Sequence, residues 1–144
     1  MISINLNIDT SDQKWLDNLP KNFKEGLYKG VAEAMLFAES EAKKSFGKSG
    51  NLKVRTGRLR QSITSDSKEG KGTLSSNLVY SAIHEFGGTI KPKSKNWLRF
   101  KVNGNWKSVK QVVIPARPYL MPAIEDNSKY IKELITDRIL GELQ

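Results

Sequence analysis

Ile2, Ile4, Leu6 and Ile8 alternate with polar residues, the period-two pattern of a strand with one buried face. The stretch "DTSDQKWLDNLP" then offers Thr10, Ser11 and Asp12 as N-cap candidates. Trp15, Leu16 and Leu19 follow as a short apolar face that Pro20 interrupts, so a short helix is predicted there. From Asn22 to about Phe46, apolar residues recur at Phe23, Leu27, Val31, Ala34, Met35, Ala38, Ala42 and Phe46. Spacings of three and four place them on one stripe of a long helix. Its alanines let a partner approach closely, most simply a sheet in the same subunit. The glycines and cations of "FGKSGNLKVRTG" end the helix in what reads as an exposed mobile loop.

"GRLRQSITSDS" and "GTLSSNLVYSAIHEF" read as two strands of a hairpin, separated by the turn-like "SKEGKG". In the first, Leu59, Gln61 and Ile63 share one face and Arg58, Arg60 and Ser62 the other. In the second, Val79, Ser81, Ile83 and Glu85 oppose Tyr80, Ala82, His84 and Phe86, and Gly87-Gly88 permits a sharp bend. Between residues 89 and 114, Trp97, Leu98, Phe100 and Val102 precede the turn signal Asn103-Gly104, and Val109, Val112, Val113 and Ile114 follow. This predicts a longer, basic hairpin arm, partly flexible. Pro115, Pro118 and Pro122 stiffen "IPARPYLMPAI", which suits an edge or interface element and equally a connector. After Pro122, Ile124, Tyr130, Ile131, Leu134, Ile135 and Ile139 fall at helical intervals. The whole predicts an α+β fold: an antiparallel sheet against a long N-terminal helix and a C-terminal amphipathic helix, with the basic hairpin or loop at 89–114.

A length of 144 residues with 38% hydrophobic content supports one core, hence a single domain over 1–144. Zero cysteines remove disulfides, thiolate nucleophiles and sulfur-ligated zinc, and fit an intracellular origin. With neither a signal-like start nor an apolar run of spanning length, nothing addresses the chain to a membrane. The formal charge of +9 is concentrated in the centre. Residues 41–72 carry nine basic and three acidic groups and residues 89–117 carry eight basic and no acidic ones, whereas 1–40 and 118–144 are each net acidic. Such a band can face nucleic acid or an acidic protein surface, or stand as a solvated lysine-rich face.

The one histidine, His84, lies beside Glu85, a pairing that general-base chemistry uses. On a strand these neighbours point to opposite faces, and there is no second histidine for a zinc motif, so neither catalysis nor a metal or cofactor site is expected. Gly87-Gly88 lacks the spacing and the following Lys-Ser or Lys-Thr of a phosphate loop. Arg58 and Arg60 on one strand face can clamp phosphates or carboxylates, with pairing to a neighbouring chain the favoured use. Thr56-Gly57 marks a loop-to-strand junction, and Arg117 sits in a rigid frame with Tyr119 and Leu120. In the arm, Lys91, Lys93, Lys95 and Arg99 continue into Lys101, Lys107 and Lys110, interleaved with Trp97, Phe100 and Trp106. That pattern suits phosphate contact with base stacking, and equally a hairpin whose aromatic face docks on another subunit.

Taken in order, "TGRLRQSI" after an alanine-bearing helix, "VYSAIHEFGG", and "IPARPYLMPAI" before a final helix resemble the HK97 gp10-like family of phage tail-completion and head-tail joining proteins, related to the broader phage virion morphogenesis group. The matching positions are Thr56, Gly57, Leu59, Arg60, Ser62 and Ile63 in the first block. They are Tyr80, Ala82, His84, Glu85, Phe86, Gly87 and Gly88 in the second, and Pro115, Arg117, Pro118, Tyr119, Leu120 and Ala123 in the third. The resemblance implies a non-catalytic α+β subunit that assembles as a ring, a hexamer when assembled and a monomer before, at the head-proximal end of a tail. It implies a tail tube protein and a head-completion or connector protein as partners, with DNA passing through the lumen. The implied location is the head-tail junction of the virion, reached from the host cytoplasm during assembly. On this reading His84 and Glu85 are fold or interface residues and the arm serves mainly protein docking. The alternative is a nucleic-acid-binding module built on the basic central segments.

Overall fold

A computed structural model describes residues 1–7, 16–48, 52–94 and 96–144. The elements run β1 (Ile2–Asn7), α1 (Lys21–Ser45), α2 (Arg58–Gln61), β2 (Ile63–Lys68), β3 (Lys71–Ser76) and α3 (Ser81–Phe86). They continue through β4 (Gly88–Ile90), β5 (Leu98–Val102), β6 (Asn105–Val109), β7 (Val112–Ile114), α4 (Met121–Glu125) and α5 (Ser128–Leu143). The α+β arrangement matches the sequence expectation. An antiparallel sheet of order β1–β3–β2 lies against the long α1, and α5 packs on the same helix. The helix expected before Pro20 falls mostly on residues 8–15, outside those described; Leu16 at its end is buried in the core.

Side-chain size decides how closely each partner approaches α1. On one stripe Leu27, Val31 and Met35 are buried, and Met35 lies under the sheet where β3 carries Gly72. A Cβ on Gly72 would stand 2.5 Å from the Met35 Cγ, so a glycine is what lets the strand settle there. On another stripe Gly26 and Gly30 face α5. A Cβ at either would come within 2.7 Å of the Ile139 Cα or 2.8 Å of the Ile135 Cα, backbone against backbone. The Gly-x-x-x-Gly spacing therefore brings the two helices nearly into main-chain contact. Ala34, Ala38 and Ala42 are fully buried with Val31, Leu74 and Ile63. Exposed pairs between Arg138 and Glu33 and between Lys29 and Glu142 border the helix crossing and contribute little.

Glu39 fastens the sheet to α1. The Ser65 amide and hydroxyl both donate to its Oε2, at 2.8 and 2.6 Å, and Lys43 pairs with the other oxygen one helical turn away. Burial works against the charged form of Glu39, but the hydrogen bonds from Lys43 and from both donors of Ser65 outweigh it and hold the carboxyl below its ordinary value.

Three expectations are corrected. Residues 58–61 form the helical turn α2 rather than a strand, so Arg58 and Arg60 do not share a face. Leu59 and Ile63 are four apart, a spacing that fits a strand face and a helix face alike, and the amides of Gln61 and Ser62 close the turn onto Gly57 and Arg58. The strand β3 stops at Ser76, and 81–86 form α3; Ser81 and Glu85, again four apart, are the pair it buries, while Val79 is 90% exposed. The expected terminal helix is broken between α4 and α5. There the Asn127 side chain donates back to the Ala123 carbonyl at 3.1 Å and draws the backbone away from helical continuation.

Gly26→Ala is expected to lower stability by about 1–3 kcal/mol through overpacking, despite alanine's higher helix propensity. Gly141→Ala on α5, with no described atom within 4 Å of the added Cβ, is expected to raise it by up to about 1 kcal/mol; urea titrations of both compare them directly. Because the folded pKa of Glu39 is lowered, its contribution is fully present above the ordinary value of 4.5 and is lost as pH falls through the folded value. Glu39→Gln should therefore lose stability at neutral pH and show a shallower decline of urea midpoint below pH 4.5 than the parent.

Candidate functional site

The second and third motif blocks meet at a buried joint. Beyond β3 the chain turns at Leu78, whose carbonyl accepts the Ser81 amide and hydroxyl at 3.1 and 2.6 Å, and this starts α3. The turn swings Glu85 inward until it is 2% exposed. Its Oε2 accepts the Tyr119 and Leu120 amides at 2.8 and 3.0 Å, and its Oε1 accepts the Met121 amide at 2.8 Å. One residue earlier, the His84 carbonyl accepts the Arg117 amide at 2.8 Å. Pro118 has no N–H, so α3 takes up every main-chain donor from residue 117 to residue 121. The same carboxylate satisfies amides at the start of α4, where Pro122 stands at the second helical position and contributes no donor. "IPARPYLMPAI" is thus more than a connector: Tyr119 and Leu120 are buried in the core, while Pro115, Ala116, Arg117 and Pro118 stay exposed.

The bend expected at Gly87-Gly88 is present, and its first residue is sterically obligatory. Gly87 has φ 70°, and a Cβ there would lie 2.7 Å from the Ala116 nitrogen and 3.0 Å from the Ile114 oxygen. The two motif blocks consequently cross with their main chains touching. Tyr119 completes the joint, its ring edge-on to Phe46 with centroids 5.2 Å apart. Burial, reinforced by the Glu85 charge, pushes its hydroxyl up to about 12, against the opposing influence of the Ser76 and Ser81 hydroxyls. It meets neither at good hydrogen-bonding geometry, and has no other partner among the described residues.

The first block joins through an open cleft of about 470 Å³ between the segment 52–57, α2 and the start of α3. Thr56, Gly57, Leu59 and Arg60 line it together with Tyr80 and half-buried His84. His84 meets Tyr80 edge-on at 6.0 Å. The charged residues around it are cationic, Lys53, Arg55 and Arg60. Phe86 points outward and is 61% exposed. Glu85 spends both oxygens on three amides instead of orienting the imidazole, so the adjacent pair does not act as one unit. Among the described residues no group of three His, Asp or Glu is placed to hold a metal ion, and no helix is long and apolar enough to cross a membrane.

The arm keeps its predicted hairpin. Residues 88–90 pair with 112–114 at its base, and β5 pairs with β6 beyond. Asn103 and Gly104 both adopt positive φ, 50° and 82°, the two-residue turn whose twist matches flanking strands. Arg99 and Lys101 lie over the Trp106 ring at 4.9 and 5.2 Å, and Lys110 over Trp97 at 5.6 Å. Among the described residues no carboxylate pairs with Arg99, Lys101, Lys107 or Lys110. Lys91 and Lys93 are exposed near the base, and Lys95 lies outside the described residues.

Glu85→Gln keeps the shape but presents an NH₂ to one of the three amides, and should lower unfolding free energy by about 1–3 kcal/mol. Glu85→Ala should lower it further by orphaning all three donors, while His84→Ala should cost least because that side chain faces the cleft. Urea titration of the three variants tests the order. A Glu85→Ala protein as stable as His84→Ala would remove the joint's importance.

No curated protein and no solved structure gives a significant match to the chain. The model of the phage virion morphogenesis family matches residues 33–143, a span holding the C-terminal half of α1, the three motif blocks, the arm and all of α5. The family points to a structural protein of the virion. With well over half of its length matched, and with the motif blocks joined as described, the chain belongs to the phage virion morphogenesis family.

Proposed function

We propose that this protein is an HK97 gp10-like tail-completion or head-tail joining subunit, which assembles as a ring at the head-proximal end of the tail. The observation that carries this reading is the use of Glu85, the one carboxylate in the motif blocks, on three backbone amides of another block. The motif thereby builds a stiff frame. Family membership supports a morphogenetic role for that frame. Work is then done by oligomerisation and shape matching, with no reaction step. One end of the ring meets the tail tube protein, the other meets the head-completion or connector protein, and DNA passes through the lumen. The subunit stays monomeric until a template orders its contacts.

Light scattering on the purified chain, alone and with tail tube protein from the same phage, tests the proposal. A species of about six times the 16.2 kDa subunit is expected on tube ends, with the chain alone at monomer mass. A chain that stays at monomer mass and ignores tubes at every concentration tried would sink it.

A further inference from the structure

The arm's cations and the outer face of α5 are complementary in charge and length, and neither Arg99 and Lys101 on the arm nor Asp137 on α5 has an ion-pair partner among the described residues. Measured around α5, Ile131, Ile135 and Ile139 face the core. At 100° per residue, Tyr130, Glu133, Asp137 and Leu140 form a strip on the opposite side. This strip pairs two carboxylates with Leu140, 53% exposed, and with the open side of Tyr130, which is 47% exposed and packs its ring against Phe37 of α1 with centroids 4.7 Å apart. Asp137 has no ion pair among the described residues, and Glu133 has only a 4.0 Å approach from exposed Lys129. On the arm, one face of the β5–β6 ribbon carries Arg99, Lys101 and Trp106, with Lys101 directly across from Trp106. Trp97 and Trp106 are 52% and 58% exposed. The ribbon is about 17 Å long at roughly 3.4 Å per residue, and the strip from Tyr130 to Leu140 about 15 Å at 1.5 Å per residue.

Resting on the ring reading above, we propose that the β5–β6 arm of one copy docks across the Tyr130–Glu133–Asp137–Leu140 strip of a second copy. The contact is head-to-tail, since the arm and the strip are different surfaces. Repetition adds one subunit after another and closes when the rotation allows. The same geometry favours a protein partner over nucleic acid. Arg99 and Lys101 lie over the Trp106 ring, which leaves less of it open as a platform for bases and holds the two cations in place to meet carboxylates. Steering follows from the basic character of residues 89–117 and the acidic balance of 118–144.

The absence of native cysteine makes a direct test clean. Trp106→Cys and Asp137→Cys proteins, prepared separately, are mixed under assembling conditions with tail tube protein and oxidised. A disulfide-linked heterodimer band is expected, at least ten times stronger than for Trp106→Cys mixed with Thr64→Cys on the outer face of β2. In parallel, Arg99→Glu/Lys101→Glu and Glu133→Lys/Asp137→Lys should each abolish assembly alone and restore it when combined in one chain. Rings that form with neither the cross-link nor the charge-reversal defect would overturn the arm–helix contact and leave the ring standing. A wild-type chain that never assembles would overturn both. Loss of duplex DNA binding in the Arg99→Glu/Lys101→Glu protein, with ring mass unchanged, would assign the arm to nucleic acid and overturn the docking proposal.

Discussion

A buried carboxylate without an ion pair is ordinarily expensive; Glu85 has none among the described residues and escapes that penalty by gathering three backbone amides from one short stretch of chain. The arrangement solves two problems together. Residues 119–121 run into the interior without a strand to pair with, and their donors need acceptors. Glu85 supplies these from a helix only six residues long, whose own position depends on the turn at Leu78 and on the close passage at Gly87. The sheet, α3 and α4 are thus tied at one point, and the core residues Tyr119, Leu120 and Ala123 are delivered from it.

The second constraint is main-chain proximity. Gly26 and Gly30 admit α5, Gly72 admits Met35, and Gly87 admits the backbone at Ala116. Small residues here determine which elements touch, while larger apolar ones fill what remains. Polar ties such as Glu39 to Ser65 then fix the sheet against sliding along α1.

Much of this architecture is legible in the sequence. The period-two run of β1, the long stripe of α1 and the turn at Asn103-Gly104 each carry a local signal that the fold obeys. The strand readings at 58–62 and 77–86 fail for one reason: the inward-facing residues, half-buried Leu59 and buried Ile63, or buried Ser81 and Glu85, are four apart and satisfy both periods. A count of apolar residues passes over Gly26 and Gly30, because a glycine contributes to packing by what it lacks. The joint is hidden for a different reason. Glu85 lies 34 to 36 residues from its donors, beyond any local pattern. The available hint is chemical, since Pro118 and Pro122 bracket three amides in an otherwise apolar stretch and a carboxylate stands in a motif with no cationic partner.

The arm leaves the body at Ile90 and returns at Val112, residues paired across a single ladder. Its length is therefore independent of the core's geometry. Adding two residues to each strand preserves which side chains share a face, whereas adding one to each sends every side chain beyond the insertion to the opposite face. Reach consequently changes in steps of about 7 Å, two residues at roughly 3.4 Å each. Over evolutionary time such an appendage behaves as a ruler with coarse graduations, adjustable to a neighbour's size without renegotiating the frame that carries it.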